Sequence, residues 1–235
     1  MINRLVLLPG MHGTGELFSE FMRRMPEPKH IEAPSYPTGS SPAYDQLQAM
    51  VESIVPPSED FVLLAESFSA PLAIQYAATN PPNLKGLVLC AGFATSPLRG
   101  WRKSCAWWIA PIAFRLPLPE IAITHFLIGP DASESLYTAV KTAIRSVKPK
   151  VLTARLRQVL AVDVRTELKK ISVPVLFIQA QQDRLAGPSC LEEIARISPQ
   201  IKIARIDGPH LILQREPKQS ADVVAQFMFR LQQQT

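Results

Sequence analysis

Short apolar runs recur along the chain at 4–8, 30–33, 61–66, 85–91, 173–179 and 201–206. Each is strand-sized and bounded by turn-forming or polar residues, which predicts six strands. Stretches with helical spacing separate them, at 15–25, 42–55, 68–79, 188–197 and 217–232. Pro81-Pro82 closes one helix and Pro217 opens another. Strand and helix alternating in this way predict an α/β fold, a mostly parallel six-stranded sheet with helices on both faces.

Residues 94–170 break the alternation. Trp101, Cys105, Trp108, Ile109 and Ile112 fall at i, i+4, i+7, i+8 and i+11, and Leu136, Val140, Ala143, Ile144 and Val147 repeat the pattern. The expected division is a core of 1–93 and 171–235 carrying a helical cap at 94–170. Three readings of the cap's apolar faces stay open. They pack on the core and on each other. Or some line an apolar pocket between cap and core, which makes Trp108, Ile109 and Ile112 candidate substrate-binding residues. Or a surface helix dips into lipid, since Arg99, Arg102 and Lys103 lie beside the tryptophans.

Composition narrows the class. With 235 residues, 47% of them hydrophobic, one domain with an insertion is the natural reading. No apolar run is long enough to span a bilayer, and Leu5 to Leu8 is strand-sized rather than a signal peptide. No stable membrane anchor and a cytoplasmic location are therefore expected. Cys90, Cys105 and Cys190 are odd in number and widely spaced, so neither a disulfide framework nor a metal site is expected. No cofactor is expected either. The net charge of +5 hides an asymmetry. Residues 94–170 hold thirteen basic and five acidic side chains, and the remainder twelve and fifteen. That imbalance is a solvated basic face or an attractor of anionic substrates or surfaces. No nucleic-acid module accompanies it.

The candidate chemistry lies at strand ends. The run Val62-Leu63-Leu64-Ala65-Glu66 stops at Ser67, and a helical stretch follows at once. Ala65 and Ser69, two residues to either side, are small. This layout fits a nucleophile elbow, where a strand turns sharply into a helix and lifts a serine hydroxyl into a cleft. It equally fits a serine capping a helix. The rest of the chain decides. A serine nucleophile needs a base, and the base an orienting acid. Asp183 follows the strand at 173–179 and His210 follows the strand at 201–206, each in a loop and in the order serine, acid, histidine. Asp163 and Asp207 are lesser candidates for the acid.

On these residues the chain resembles the α/β-hydrolase family over nearly its whole length. The resemblance implies an α/β-hydrolase fold with an inserted helical cap. It also aligns Leu5 to Gly15 with the family's first core strand and oxyanion loop. The backbone N–H groups of Met11 and Phe68 are then the implied oxyanion donors. His12 is a candidate substrate contact from the same loop, and Glu66 is expected in a structural hydrogen bond. The implied function is a serine hydrolase of a small-molecule ester or thioester, fairly apolar, acting through Ser67, His210 and Asp183. Acyl transfer, a lyase use of the same triad and a non-catalytic ligand-binding role remain alternatives.

Overall fold

The computed structural model describes residues 2–26, 30–55, 59–116 and 119–233. Strands β1 (Arg4–Leu8), β2 (His30–Glu32), β3 (Phe61–Glu66), β4 (Leu84–Cys90), β5 (Val175–Ala180) and β6 (Lys202–Ile206) form one six-stranded sheet in the order β2-β1-β3-β4-β5-β6. Every pairing is parallel, so the chain must cross back over the sheet between strands. The crossovers carry α1 (Ser19–Arg24), α2 (Tyr44–Ile54), α3 (Ala70–Ala77) and α9 (Pro188–Ile197); α10 (Ile212–Arg215) and α11 (Pro217–Gln232) follow β6. The helix expected over 15–25 is split: a 3-10 turn at Glu16–Phe18 precedes α1.

Period-two alternation sends successive strand residues to opposite faces. Leu63, Ala65, Leu87, Leu89 and Phe177 join a cluster with residues of α2, α3 and α9. Val62, Leu64, Val88, Cys90 and Ile178 join another with α1, α10 and α11. Both faces are covered, which is why β3 is buried along its whole length and reads as an unbroken apolar run. At Gly86 the sheet meets α11 so closely that a Cβ would lie 2.6 Å from Leu231 Cδ1.

Between β4 and β5 the chain is helical: α4 (Gly100–Ala113), α5 (Glu120–Ile123) running into a π turn at Thr124–Ile128, α6 (Glu134–Arg145), α7 (Pro149–Ala161) and α8 (Arg165–Leu168). Ser133 caps α6 by accepting the Leu136 N–H. The apolar face of α6 packs inward, with Tyr137, Val140 and Ala143 buried against Ile123, Ile128 and Leu211. The corresponding stripe of α4 does the reverse. Trp101, Trp108, Ile109 and Ile112 are 57–76% exposed. Small residues on the other side of α4, Ala106 and Ala110, face the molecule.

Candidate active site

Ser67 sits where β3 gives way to a 3-10 turn, Ser67–Ser69, that leads into α3. Its φ is +49°. A non-glycine residue in that region is strained by about 1–3 kcal/mol, so the surroundings must hold it there. Ser69 does much of the holding. Its Oγ donates to the Pro9 carbonyl at 2.5 Å and accepts from the Tyr36 hydroxyl at 2.5 Å. Tyr44 stacks on Phe68 and donates to its carbonyl at 3.0 Å. A hydroxyl thus stands where the family pattern has a flanking glycine, and it ties the elbow to the loop after β1.

His210 Nε2 lies 2.8 Å from Ser67 Oγ, and His210 Nδ1 lies 2.8 Å from Asp183 Oδ2. The other oxygen of Asp183 accepts the N–H groups of Leu185 at 2.8 Å and Ala186 at 2.9 Å. Those bonds fix the carboxylate, which fixes the tautomer: Nδ1 donates to Asp183, leaving Nε2 to accept from the serine. Burial opposes charge on both partners. Burial alone would push Asp183 up, but His210 and the two backbone donors hold it below the ordinary carboxylate value. Burial would likewise push His210 down, yet Asp183 and then Glu66 keep the imidazole above its ordinary value. The other acid candidates are engaged elsewhere. Asp163 binds Arg165 at 2.6 Å, and Asp207 accepts from Gln182 at 2.9 Å.

A pocket of about 400 Å³ opens over this chain of groups. Met11, His12, Ser67, Phe68 and His210 form its floor; among the described residues, the polar lining side chains are His12, Ser67 and His210. The segment between β4 and β5 supplies much of the remaining wall, including Phe114, Val140, Ile144 and Leu160, with Leu185, Ala186 and Leu211 from the loops after β5 and β6. Trp108, Ile109 and Ile112, the candidate substrate contacts on α4, are not in that wall. They point to solvent, because α4 meets the pocket with Ala106 and Phe114 on its opposite side.

Two buried ionisable side chains were not legible as such. Glu66 is fully buried, and neither carboxylate oxygen has a hydrogen-bond partner, contrary to the structural bond expected for it. His12 Nε2 lies 3.5 Å from its Oε2. His12 Nδ1 accepts the Thr14 N–H at 3.2 Å, so the ring's proton is on Nε2, facing Glu66. Arg155, on α7, reaches down to the loop after β1 and is 1% exposed. It donates to the carbonyls of Met11 and Pro37, each at 2.8 Å, with Tyr36 and Phe68 rings 5.7 and 6.0 Å from its guanidinium carbon. Among the described residues, no group of three or more histidine, cysteine, aspartate or glutamate side chains could hold a metal ion.

Residues 35–211, which include all three members of the chain, match the family described as serine aminopeptidase, S33. The chain belongs to this α/β-hydrolase family. No curated protein matches it in sequence. Solved structures with the same fold include an esterase from Exiguobacterium antarcticum, 14% identical with a TM-score of 0.85, covering 96% of this chain and 91% of that one. An enol-lactonase from Burkholderia xenovorans is 15% identical with a TM-score of 0.81, covering 97% and 92%. A bromoperoxidase from Bacillus anthracis is 17% identical with a TM-score of 0.82, again covering 97% and 92%. At these identities the likeness is one of fold. No helix among the described residues of this α/β hydrolase is long and apolar enough to cross a membrane.

Proposed function

We propose that this α/β hydrolase cleaves apolar carboxylic esters or thioesters through Ser67, with His210 as base and Asp183 as orienting acid. The observation that carries the reading is the unbroken chain Ser67 Oγ, His210, Asp183, with both links at 2.8 Å, under a pocket with apolar walls. His210 takes the serine proton as Oγ attacks the carbonyl carbon, and Asp183 stabilises the resulting imidazolium. The backbone N–H groups of Met11, in the loop after β1, and of Phe68, next to Ser67 in the chain, receive the oxyanion; one such donor is worth about 2.7–4 kcal/mol of barrier. The imidazolium returns the proton to the leaving alcohol or thiol. Water, activated by the same histidine, then releases the acid. The helices from α4 to α8 act as a cap that closes over the acyl chain.

The family's descriptive name points to peptides with a free amino terminus. The pocket argues for esters instead. Among the described residues no aspartate or glutamate lines it, so a bound ammonium would lose its water without gaining a counter-charge. A series of soluble p-nitrophenyl esters of increasing acyl length, run beside aminoacyl p-nitroanilides, tests this. A buried methylene is worth about 0.8 kcal/mol, so kcat/KM should rise roughly fourfold per added carbon until the pocket is full. A flat ester profile, or faster cleavage of the anilides, would overturn the substrate assignment.

A further inference from the structure

The exposed face of α4 has no use in the hydrolase chemistry and carries an unusual combination of groups. Trp101 and Trp108 are 76% and 74% exposed, and Ile109 and Ile112 stand beside them on the same face. Leaving that much apolar surface in water is unfavourable by about 25 cal/mol per Å², so a contiguous face of this kind marks a contact surface. Basic side chains accompany it. From residue 94 to residue 119 the sequence has no aspartate or glutamate. Arg102, Lys103 and Arg115 are exposed, and none forms an ion pair among the described residues.

Beside this face, α4 and α7 enclose a groove of about 540 Å³ lined by Trp107, Pro111, Arg115, Lys150, Arg157 and Gln158 among others. The guanidinium of Arg157 stands 5.1 Å over the Trp107 ring. Its Nε is buried without a hydrogen-bond partner, and so is the side-chain oxygen of Gln158. The groove therefore offers three cationic side chains, Arg115, Lys150 and Arg157. That set fits a phosphate.

The occupant must be apolar and anionic at once. A second copy of the chain fails on charge, because a two-fold contact through α4 would bring two basic faces together. A bilayer with anionic headgroups satisfies both demands: tryptophans sit at headgroup level, aliphatic side chains reach the acyl boundary, and arginine and lysine meet the phosphates. The position of α4 adds a reason. Its inner side, Ala106 and Phe114, lines the pocket over Ser67, so one helix separates the pocket from the exposed face. Phe126 and Leu185 line the same pocket and are 41% and 38% exposed, an apolar rim for an apolar substrate.

We propose that the outer face of α4 docks on an anionic lipid surface, with the groove between α4 and α7 taking a lipid phosphate headgroup. The docking rests on that exposed face and groove and stands whether or not Ser67 hydrolyses esters. The test is flotation of the full chain with vesicles of phosphatidylcholine alone or mixed with phosphatidylglycerol. The protein should float with the anionic vesicles, with a blue shift of tryptophan emission, and release as salt rises. Trp101→Ser combined with Trp108→Ser should weaken the partition roughly tenfold or more, while leaving the melting curve and hydrolysis of a soluble acetyl ester unchanged. Arg115→Gln combined with Lys150→Gln should erase the preference for phosphatidylglycerol. No flotation with anionic vesicles at low salt overturns the proposal. So does flotation unchanged by the tryptophan pair. A concentration-dependent dimer lost in the tryptophan pair would make a second copy the occupant and overturn it as well.

Discussion

Arg155→Met should uncouple α7 from the loop after β1. The substitution keeps an apolar stem of similar length in a fully buried position and removes both donors. The carbonyls of Met11 and Pro37 then lose their partners, each bonded at 2.8 Å in the native chain. A hydrogen bond to a charged group contributes about 1.5–3 kcal/mol, so the two together set a ceiling near 6. Part of that is offset, because the guanidinium is itself costly to bury: burial draws its pKa below the ordinary arginine value. A net loss of about 2–4 kcal/mol remains, or roughly 5–12 °C in Tm for a chain of this size. The loop after β1 would also lose the anchor of the residue proposed to donate to the oxyanion, so kcat/KM toward a soluble acetyl ester should fall at least about tenfold, some 1.4 kcal/mol of barrier. Arg155→Lys, which keeps the charge but not the fork, should resemble Arg155→Met more than the native protein. Thermal melts and steady-state kinetics read both effects. A Met variant that melts within about 1 °C of the native protein and turns over normally would refute this reasoning.

Asp183→Asn should lower kcat by about four orders of magnitude through the wrong imidazole tautomer, whereas Asp163→Asn and Asp207→Asn should change it little; a larger loss at Asp163 would relocate the acid. Glu66→Gln should move the acid limb of the kcat/KM profile to lower pH. In the proposed mechanism His210 acts as the neutral base; Asp183 and Glu66 both hold its pKa up, and removing the Glu66 carboxylate lets the imidazole stay neutral in more acidic solution. A limb that stays in place would refute the electrostatic coupling of Glu66 to His210. Ile144→Trp, which fills the pocket wall, should shorten the preferred acyl chain without slowing hydrolysis of an acetyl ester. Identical length profiles would remove Ile144 from the acyl path.

The sheet and the Ser67, His210 and Asp183 constellation were legible because strand ends in a parallel sheet converge, and residues at those ends can be read off the apolar runs. Other features depend on distance in space that the sequence does not record. Arg155 is 144 residues from Met11 in sequence, and nothing near either position announces the bond between them. Ser69 read only as a small residue tolerated at the elbow, although its hydroxyl bridges Tyr36 and Pro9. On α4, periodicity located the apolar stripe correctly but not its environment. A helix seats its small face inward when space over a pocket is tight, and Ala106 and Ala110 do so here, turning the large residues outward. The stripe of α6 has the same spacing and packs inward against Leu211 and Ile128.

In the proposed mechanism Ser67 Oγ becomes covalently bonded to the acyl group during turnover. Rapid mixing of the native protein with a p-nitrophenyl ester, followed by acid quench, intact mass and peptide mapping, reads this bond. A burst of nitrophenol should be matched by a mass increase of one acyl group, mapped to Ser67 and absent in Ser67→Ala, which should fold normally and lose nearly all turnover. An acyl group on another residue, or native turnover in Ser67→Ala, would contradict it.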